Sequence, residues 1–278
     1  MPELPEIRAH AERLHAEFGG TPLAAFRPLS FTALKTAVPS PELAVGQPLV
    51  SVHQRGKHLL LDFGTVTFVV HLMQGGRLKP DPKQSKKPRG GVARWVFDDD
   101  RAVLLTEAGT EKKAGVWVID GDPETQPPLT GLGVEADRVD ADALRTMLKG
   151  QSTRVHGFLR DQHGISGVGR RLANEICHRA KISPFTSTSK LTAEEVDRLV
   201  EAIGYAVDES LAYERSRNDM SSSAQRPSNV HHRKGEPCPV CGDTVRAVEY
   251  RAYEVDYCPT CQTDGKVLAD NTTSKFLK

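Results

Sequence analysis

The sequence predicts a multi-domain α+β protein: an N-terminal helix and a β-sandwich, then an all-α domain, then a C-terminal β-hairpin closed by cysteines. Three patterns predict it. Residues 4–18 carry Ile7, Ala11, Leu14 and Phe18 at helical spacing, and about 46–120 then breaks into short Val-, Leu-, Phe- and Trp-rich runs divided by Gly or Asp turns. Beyond that the apolar spacing turns helical again, and two Cys-x-x-Cys pairs follow near the end.

Taken in order, the first helix holds Glu3 and Glu6 in its opening turn, where carboxylates suit a helix N-terminus. Strands are expected at 59–61, 67–70, 93–97 and 116–119. The stretch 120–129, rich in Pro, Asp and Gly, reads as a linker on composition. Helices are expected over 141–149, about 154–161 and 171–181, and a long one opens at Thr192. Thr192 and Glu195 form a capping box there, and Val196, Leu199, Ile203, Val207 and Leu211 make its apolar stripe. Residues 215–236, polar and aperiodic, read as a mobile loop. The expected division is 1–130, 131–232 and 233–278.

Composition narrows the function classes. The chain has 278 residues and a net charge of +1, from 37 Lys and Arg against 36 Asp and Glu. No apolar run approaches the eighteen or so residues of a membrane span, and the first residues are not a basic segment followed by an apolar one, so a cytoplasmic protein with no membrane partner is expected. The near-zero sum hides local asymmetry. Residues 77–91 hold six basic side chains against the single acid Asp81, and 151–190 hold seven against Asp161 and Glu175. Such runs serve a nucleic-acid surface or are merely solvated faces.

Cys238, Cys241, Cys258 and Cys261 form two Cys-x-x-Cys pairs with sixteen residues between them. Four thiolates so spaced surround one tetrahedral zinc, a structural ion because no position is left open for water. The intervening 245–257 reads as a β-hairpin. Cys177, flanked by Ile176 and His178 on a helix, reads as a packed thiol. At the other end, removal of Met1 would expose the secondary amine of Pro2, a nucleophile able to form an iminium with a sugar C1′. Glu3 beside it suits general acid–base work.

Met1-Pro2-Glu3-Leu4-Pro5-Glu6, together with the four-cysteine ribbon, resembles the formamidopyrimidine-DNA glycosylase/endonuclease VIII family. Further matches run along the chain. Residues 54–60 resemble the family's Arg-Gly-Lys strand, with Lys57 beside the catalytic amine, and His71-Leu72 before Gly75-Gly76 resembles the loop in which His71 touches a phosphate. Asp161-Gln162, residues 165–169, 173–176 and Ser183-Pro184 resemble the helix-two-turns-helix element. There the turn of Gly167 and Gly169 offers backbone N–H groups to a phosphate. The resemblance implies a monomeric, bacterial-type, nucleoid-associated base-excision repair enzyme. It would act as DNA glycosylase and abasic-site lyase through Pro2, Glu3 and Lys57, with damaged or abasic double-stranded DNA as partner and one structural zinc.

The departures fall at DNA-contacting positions. Where the family has an Asn after the second glycine, this chain has Arg170; where it has a hairpin Arg, it has Tyr253, with Arg251 two residues away on the same strand face. The family's Met, Arg and Phe that fill the hole left by a flipped base align with Gln74, Lys112 and Ala114. The glycine-rich loop that covers 8-oxoguanine is not recognisable between Gly204 and Val230. Oxidised pyrimidines, abasic sites or bulky lesions are therefore the expected substrates. The alternative is a protein of the same fold that binds damaged or abasic DNA with weak or lyase-only activity.

Overall fold

The computed structural model describes residues 1–109, 113–220, 223–250 and 253–268. They form two compact units, one of residues 1–132 with 210–225 and the other of 133–209 with 226 onward.

In the first unit α1 (Leu4–Phe18) precedes two four-stranded antiparallel sheets. One has the order β1 (Leu23–Pro28), β6 (Gly91–Phe97), β7 (Ala102–Glu107), β5 (Gly76–Pro80). The other has the order β2 (Ser51–Arg55), β3 (His58–Asp62), β4 (Thr67–His71), β8 (Gly115–Ile119). Phe26 and Trp95 of the first sheet meet Phe68 of the second, with ring centroids 5.0 and 6.0 Å away, so aromatic side chains fill the space between the sheets. The helix stripe Ile7, Ala11, Leu14 and Phe18 is buried in the same core, and α1 packs across β2 and β3. Strand β1 escaped the sequence reading because Leu23–Pro28 carries only weak alternation; its pairing with β6 supplies the missing constraint.

The expected linker is not a free connection. Leu129 packs with Val69 and Ile119, and Glu124 binds Arg55 at 2.9 Å, which fastens 120–132 to the second sheet.

The second unit contains α2 (Ala141–Leu148), α3 (Val155–Leu159), α4 (Arg170–Arg179) and most of α5 (Ala193–Ser216). The capping box at Thr192 forms, with Glu195 N–H 3.2 Å from Thr192 Oγ1 and Thr192 N–H 2.9 Å from Glu195 Oε2. The expectation of a purely helical domain needs one correction: two-residue strands β9 (Val134–Glu135) and β10 (Ile165–Ser166) pair in parallel and set the turn before α4. The segment read as a mobile loop is also partly built. Its first two residues complete α5, and residues 229–231 are tied down by hydrogen bonds to Glu175. The ribbon hairpin pairs β11 (Arg246–Glu249) with β12 (Glu254–Tyr257), and α6 (Pro259–Gln262) follows. Among the described residues no helix is long and apolar enough to cross a membrane.

Candidate active site and nucleic-acid interface

The first site grows out of the start of α1. Glu3 is the N-cap: its carboxylate accepts from the backbone of Glu6, and its own N–H donates to Glu6 Oε2 at 3.1 Å. This reciprocal box fixes both carboxylates at a helix N-terminus, and both are buried. Pro2 is half-buried beside them.

Lys57 reaches the same region from the sheet. Arg55 pairs with His58, so Gly56 and Lys57 form a two-residue hairpin turn, and Gly56 takes φ 54°, the left-handed conformation that glycine adopts freely. Arg8 of α1 grips this hairpin through Gln54 Oε1, at 3.1 Å from Nε and 3.0 Å from Nη2. Gln54 in turn donates to the Gly56 carbonyl at 3.2 Å. Lys57 is thereby held almost fully buried.

His71 adds a third group to this region. It pairs across strands with His58, the rings meeting edge-on at 4.6 Å. Burial first, then the charges of Lys57 and of the chain's N-terminal amine, push its pKa down to about 4. The N-terminus and Lys57 are thus close enough to His71 to be felt as charges. His71 Nδ1 accepts the Met73 N–H at 3.0 Å, so the neutral ring carries its proton on Nε2. His58, whose pKa burial and His71 lower to about 3, is a partner that sequence reasoning missed. The one signal in the sequence was its place directly after Lys57, at the start of the strand that follows the turn.

In the second unit the turn before α4 is held by one side chain. Gln162 Oε1 accepts Gly167 N–H at 3.0 Å, while Gln162 Nε2 donates to Val168 O and Arg160 O at 2.9 and 2.8 Å. Gly167 has φ 94°, and Gly169 is the N-cap of α4, so the turn brings backbone to a helix N-terminus. The two arginines there part company. Arg171 donates to the Arg226 carbonyl and to Ser228 Oγ, whereas Arg170 makes no hydrogen bond or ion pair among the described residues.

The middle of α4 carries the ribbon. Glu175 accepts the backbone N–H groups of Asn229, Val230 and His231, and Asn174 donates to the fully buried Asp256 of β12 at 3.0 Å. Neither residue announced this role in sequence, because the partners lie about 55 to 80 positions away. Tyr253 lies parallel to Tyr250, centroids 4.8 Å apart, and the Arg160 guanidinium sits over its ring. Gln74 is exposed on the loop before β5, next to Met73 at φ 51°. Ala114 is buried, with its N–H on Glu107 Oε2, and forms no wedge. Lys112 and Arg251 lie outside the described residues.

The four ribbon sulfurs all lie within 4.8 Å of one another. Cys241 and Cys258 Sγ are 3.4 Å apart, Cys238 and Cys261 Sγ 3.9 Å. A tetrahedron with Zn–S of about 2.3 Å has edges of about 3.8 Å, so the donor set fits one zinc ion. His178 Nε2, 3.4 Å from Cys238 Sγ, backs one ligand. Cys177 is the packed thiol expected, fully buried with its pKa raised by burial to about 12.

Comparison with known proteins gives this arrangement a family. Residues 1–110 match the formamidopyrimidine-DNA glycosylase N-terminal domain, 131–222 the formamidopyrimidine-DNA glycosylase H2TH domain, and 235–263 the zinc finger found in FPG and IleRS. A formamidopyrimidine-DNA glycosylase of Thiobacillus denitrificans is 30% identical over 274 residues, covering 94% of this chain and 100% of the relative. The chain belongs to the formamidopyrimidine-DNA glycosylase family. An uncharacterized formamidopyrimidine-DNA glycosylase-like protein of Mycobacterium tuberculosis is 39% identical over 154 residues, 55% of this chain and 98% of that protein. The Thermus thermophilus member is 26% identical with a TM-score of 0.81, covering 94% of this chain and 98% of that one. A Lactococcus lactis member, in complex with DNA containing N7-benzyl-Fapy-dG, shares the fold at a TM-score of 0.83 and 20% identity, over 94% and 100% of the two chains. Family membership makes the four-cysteine cluster the zinc finger of a glycosylase, holding one structural ion.

Proposed function

We propose that this chain is a base-excision repair enzyme, a DNA glycosylase with abasic-site lyase activity, acting on double-stranded DNA that carries a damaged base or an abasic site. The observation that supports it is the gathering of the N-terminal amine and Lys57 around a neutral His71, with Glu3 and Glu6 fixed in a capping box at the start of α1. With Met1 removed, the Pro2 nitrogen attacks C1′ of the extruded nucleotide, and the C1′–N glycosidic bond breaks as the base takes the electron pair and a proton. Glu3 protonates the ring oxygen as the sugar opens to the iminium. Loss of a C2′ proton then expels the 3′ phosphate. Lys57 and the Nε2–H of His71 supply donors for the phosphates of the flipped nucleotide. Gln74, the α4 start at Gly167, Gly169 and Arg170, and the ribbon turn with Arg251 and Tyr253 complete the DNA-binding set. Lys112 belongs to it by alignment.

The proposal extends to the setting: a monomer working at the bacterial nucleoid, in the cytoplasm, on oxidised pyrimidines, abasic sites or bulky lesions rather than on 8-oxoguanine. The test is strand nicking and base release on a panel of duplexes, each with one such lesion. Wild-type protein should process at least one, and Glu3→Gln and Lys57→Ala should lower its rate by about a hundredfold or more. Tight binding to the abasic duplex with no turnover on any substrate favours instead the binding protein of the same fold.

A further inference from the structure

The helix α3 ends on Arg160, and its guanidinium carbon lies 4.9 Å from the centroid of Tyr253 in the ribbon turn. Tyr253 is tied to Tyr250. Tyr250 N–H donates to Tyr253 O at 2.8 Å, and the two phenol rings stack at an interplanar angle of 13°. Arg160 differs from the paired arginines of its unit. Arg145, Arg198 and Arg233 each have a carboxylate within ion-pair distance, and Arg171 is used internally, but the Arg160 guanidinium has no hydrogen bond or ion pair among the described residues. Its backbone is nonetheless fixed, because Gln162 Nε2 donates to Arg160 O and the same Gln162 holds the turn that opens α4.

A guanidinium resting on an aromatic face keeps its in-plane N–H donors pointing outward and loses little further freedom when they are used. Outward donors without a carboxylate suit a phosphate, which takes the planar fork through two oxygens. We propose that Arg160 is a DNA-phosphate ligand presented by the Tyr253–Tyr250 stack, so that α3 supplies to the ribbon turn a cation that Tyr253 does not carry. The contact rests on the DNA-binding reading above and adds a residue to it. The sequence hid this residue because Arg160 and Tyr253 are 93 positions apart.

The experiment is a salt titration of full-length protein on a duplex carrying a tetrahydrofuran abasic analogue, with zinc content measured for every variant. Each neutralised phosphate contributes about 0.9 to the slope of log affinity against log salt, equivalent to roughly fivefold in affinity at 0.15 M. Arg160→Ala should flatten the slope by that amount with zinc retained. Arg160→Lys should keep most of the slope, and Tyr253→Ala should lose part of it. An unchanged slope for Arg160→Ala, with wild type binding normally, overturns the proposal and leaves the DNA-binding reading standing. Wild-type protein that does not bind the duplex overturns both.

Discussion

Arg8 on the first helix holds the side chain of Gln54 with two N–H groups, at 3.1 and 3.0 Å, and Gln54 hands that restraint to the carbonyl of Gly56. The position of Lys57 is therefore set from α1, the same element that sets Glu3. Arg8→Ala or Gln54→Ala should slow single-turnover processing of a damaged duplex by about tenfold to a hundredfold, the range expected for a catalytic group misplaced by about an ångström. Thermal stability should change little. Wild-type single-turnover rates in both variants would show that Lys57 does not depend on this contact.

The first unit holds three histidines in their neutral forms. His10 is pushed down to about 3 by burial and by Arg13, Arg217 and Arg77, His58 to about 3 by burial and His71, and His71 to about 4. In the unfolded chain each takes up a proton near pH 6.5, so the unfolded state binds more protons between that pH and the folded value. Their stabilising contribution is complete above about pH 6.5 and is lost as pH falls towards 4 and 3, by up to about 1.4 kcal/mol per pH unit for each group. Urea midpoints measured from pH 7.5 to 5 should fall accordingly, and His58→Phe should flatten the trend. A midpoint independent of pH over this range would refute the assignment.

Arg170 and Arg171 should separate cleanly. Arg171→Ala removes the donors that satisfy the Arg226 carbonyl and Ser228, and should cost about 1–3 kcal/mol of stability. Arg170→Asn should leave stability within about 0.5 kcal/mol and flatten the salt dependence of binding to an abasic-analogue duplex by about one unit. An unchanged slope would mean that the free guanidinium at the start of α4 does not meet a phosphate.

Zinc protection should be visible in thiol chemistry. Native protein should be slow to react with a thiol reagent at all five cysteines, chelator-treated protein should expose four, and Cys177 should react only on denaturation. Metal loss should weaken binding to damaged duplex while the sandwich keeps its unfolding midpoint. Full affinity in the metal-free protein would remove the ribbon from the interface.

Much of the fold was legible because its signals are local. The stripes of α1 and α5, the runs 59–61, 67–70, 93–97 and 116–119, and the four cysteines each lie within one element or one hairpin. Strand β1 and the packed segment 120–132 were not, since a partner far along the chain decides each. The site divides in the same way. Pro2, Glu3, Lys57 and His71 stood out through resemblance in short motifs, whereas Arg8, His58, Asn174 and Arg160 matter through contacts that no motif spans.

The most direct test of the proposed chemistry is borohydride reduction of the protein on abasic duplex, followed by mass mapping of the trapped adduct. Formation of the iminium on the first residue of the mature chain predicts a single DNA-linked peptide that begins at Pro2, with Met1 absent, and no trapping when Met1 is retained by an added N-terminal residue. An adduct that maps to Lys57 or another lysine, or efficient trapping with Met1 still in place, would contradict it.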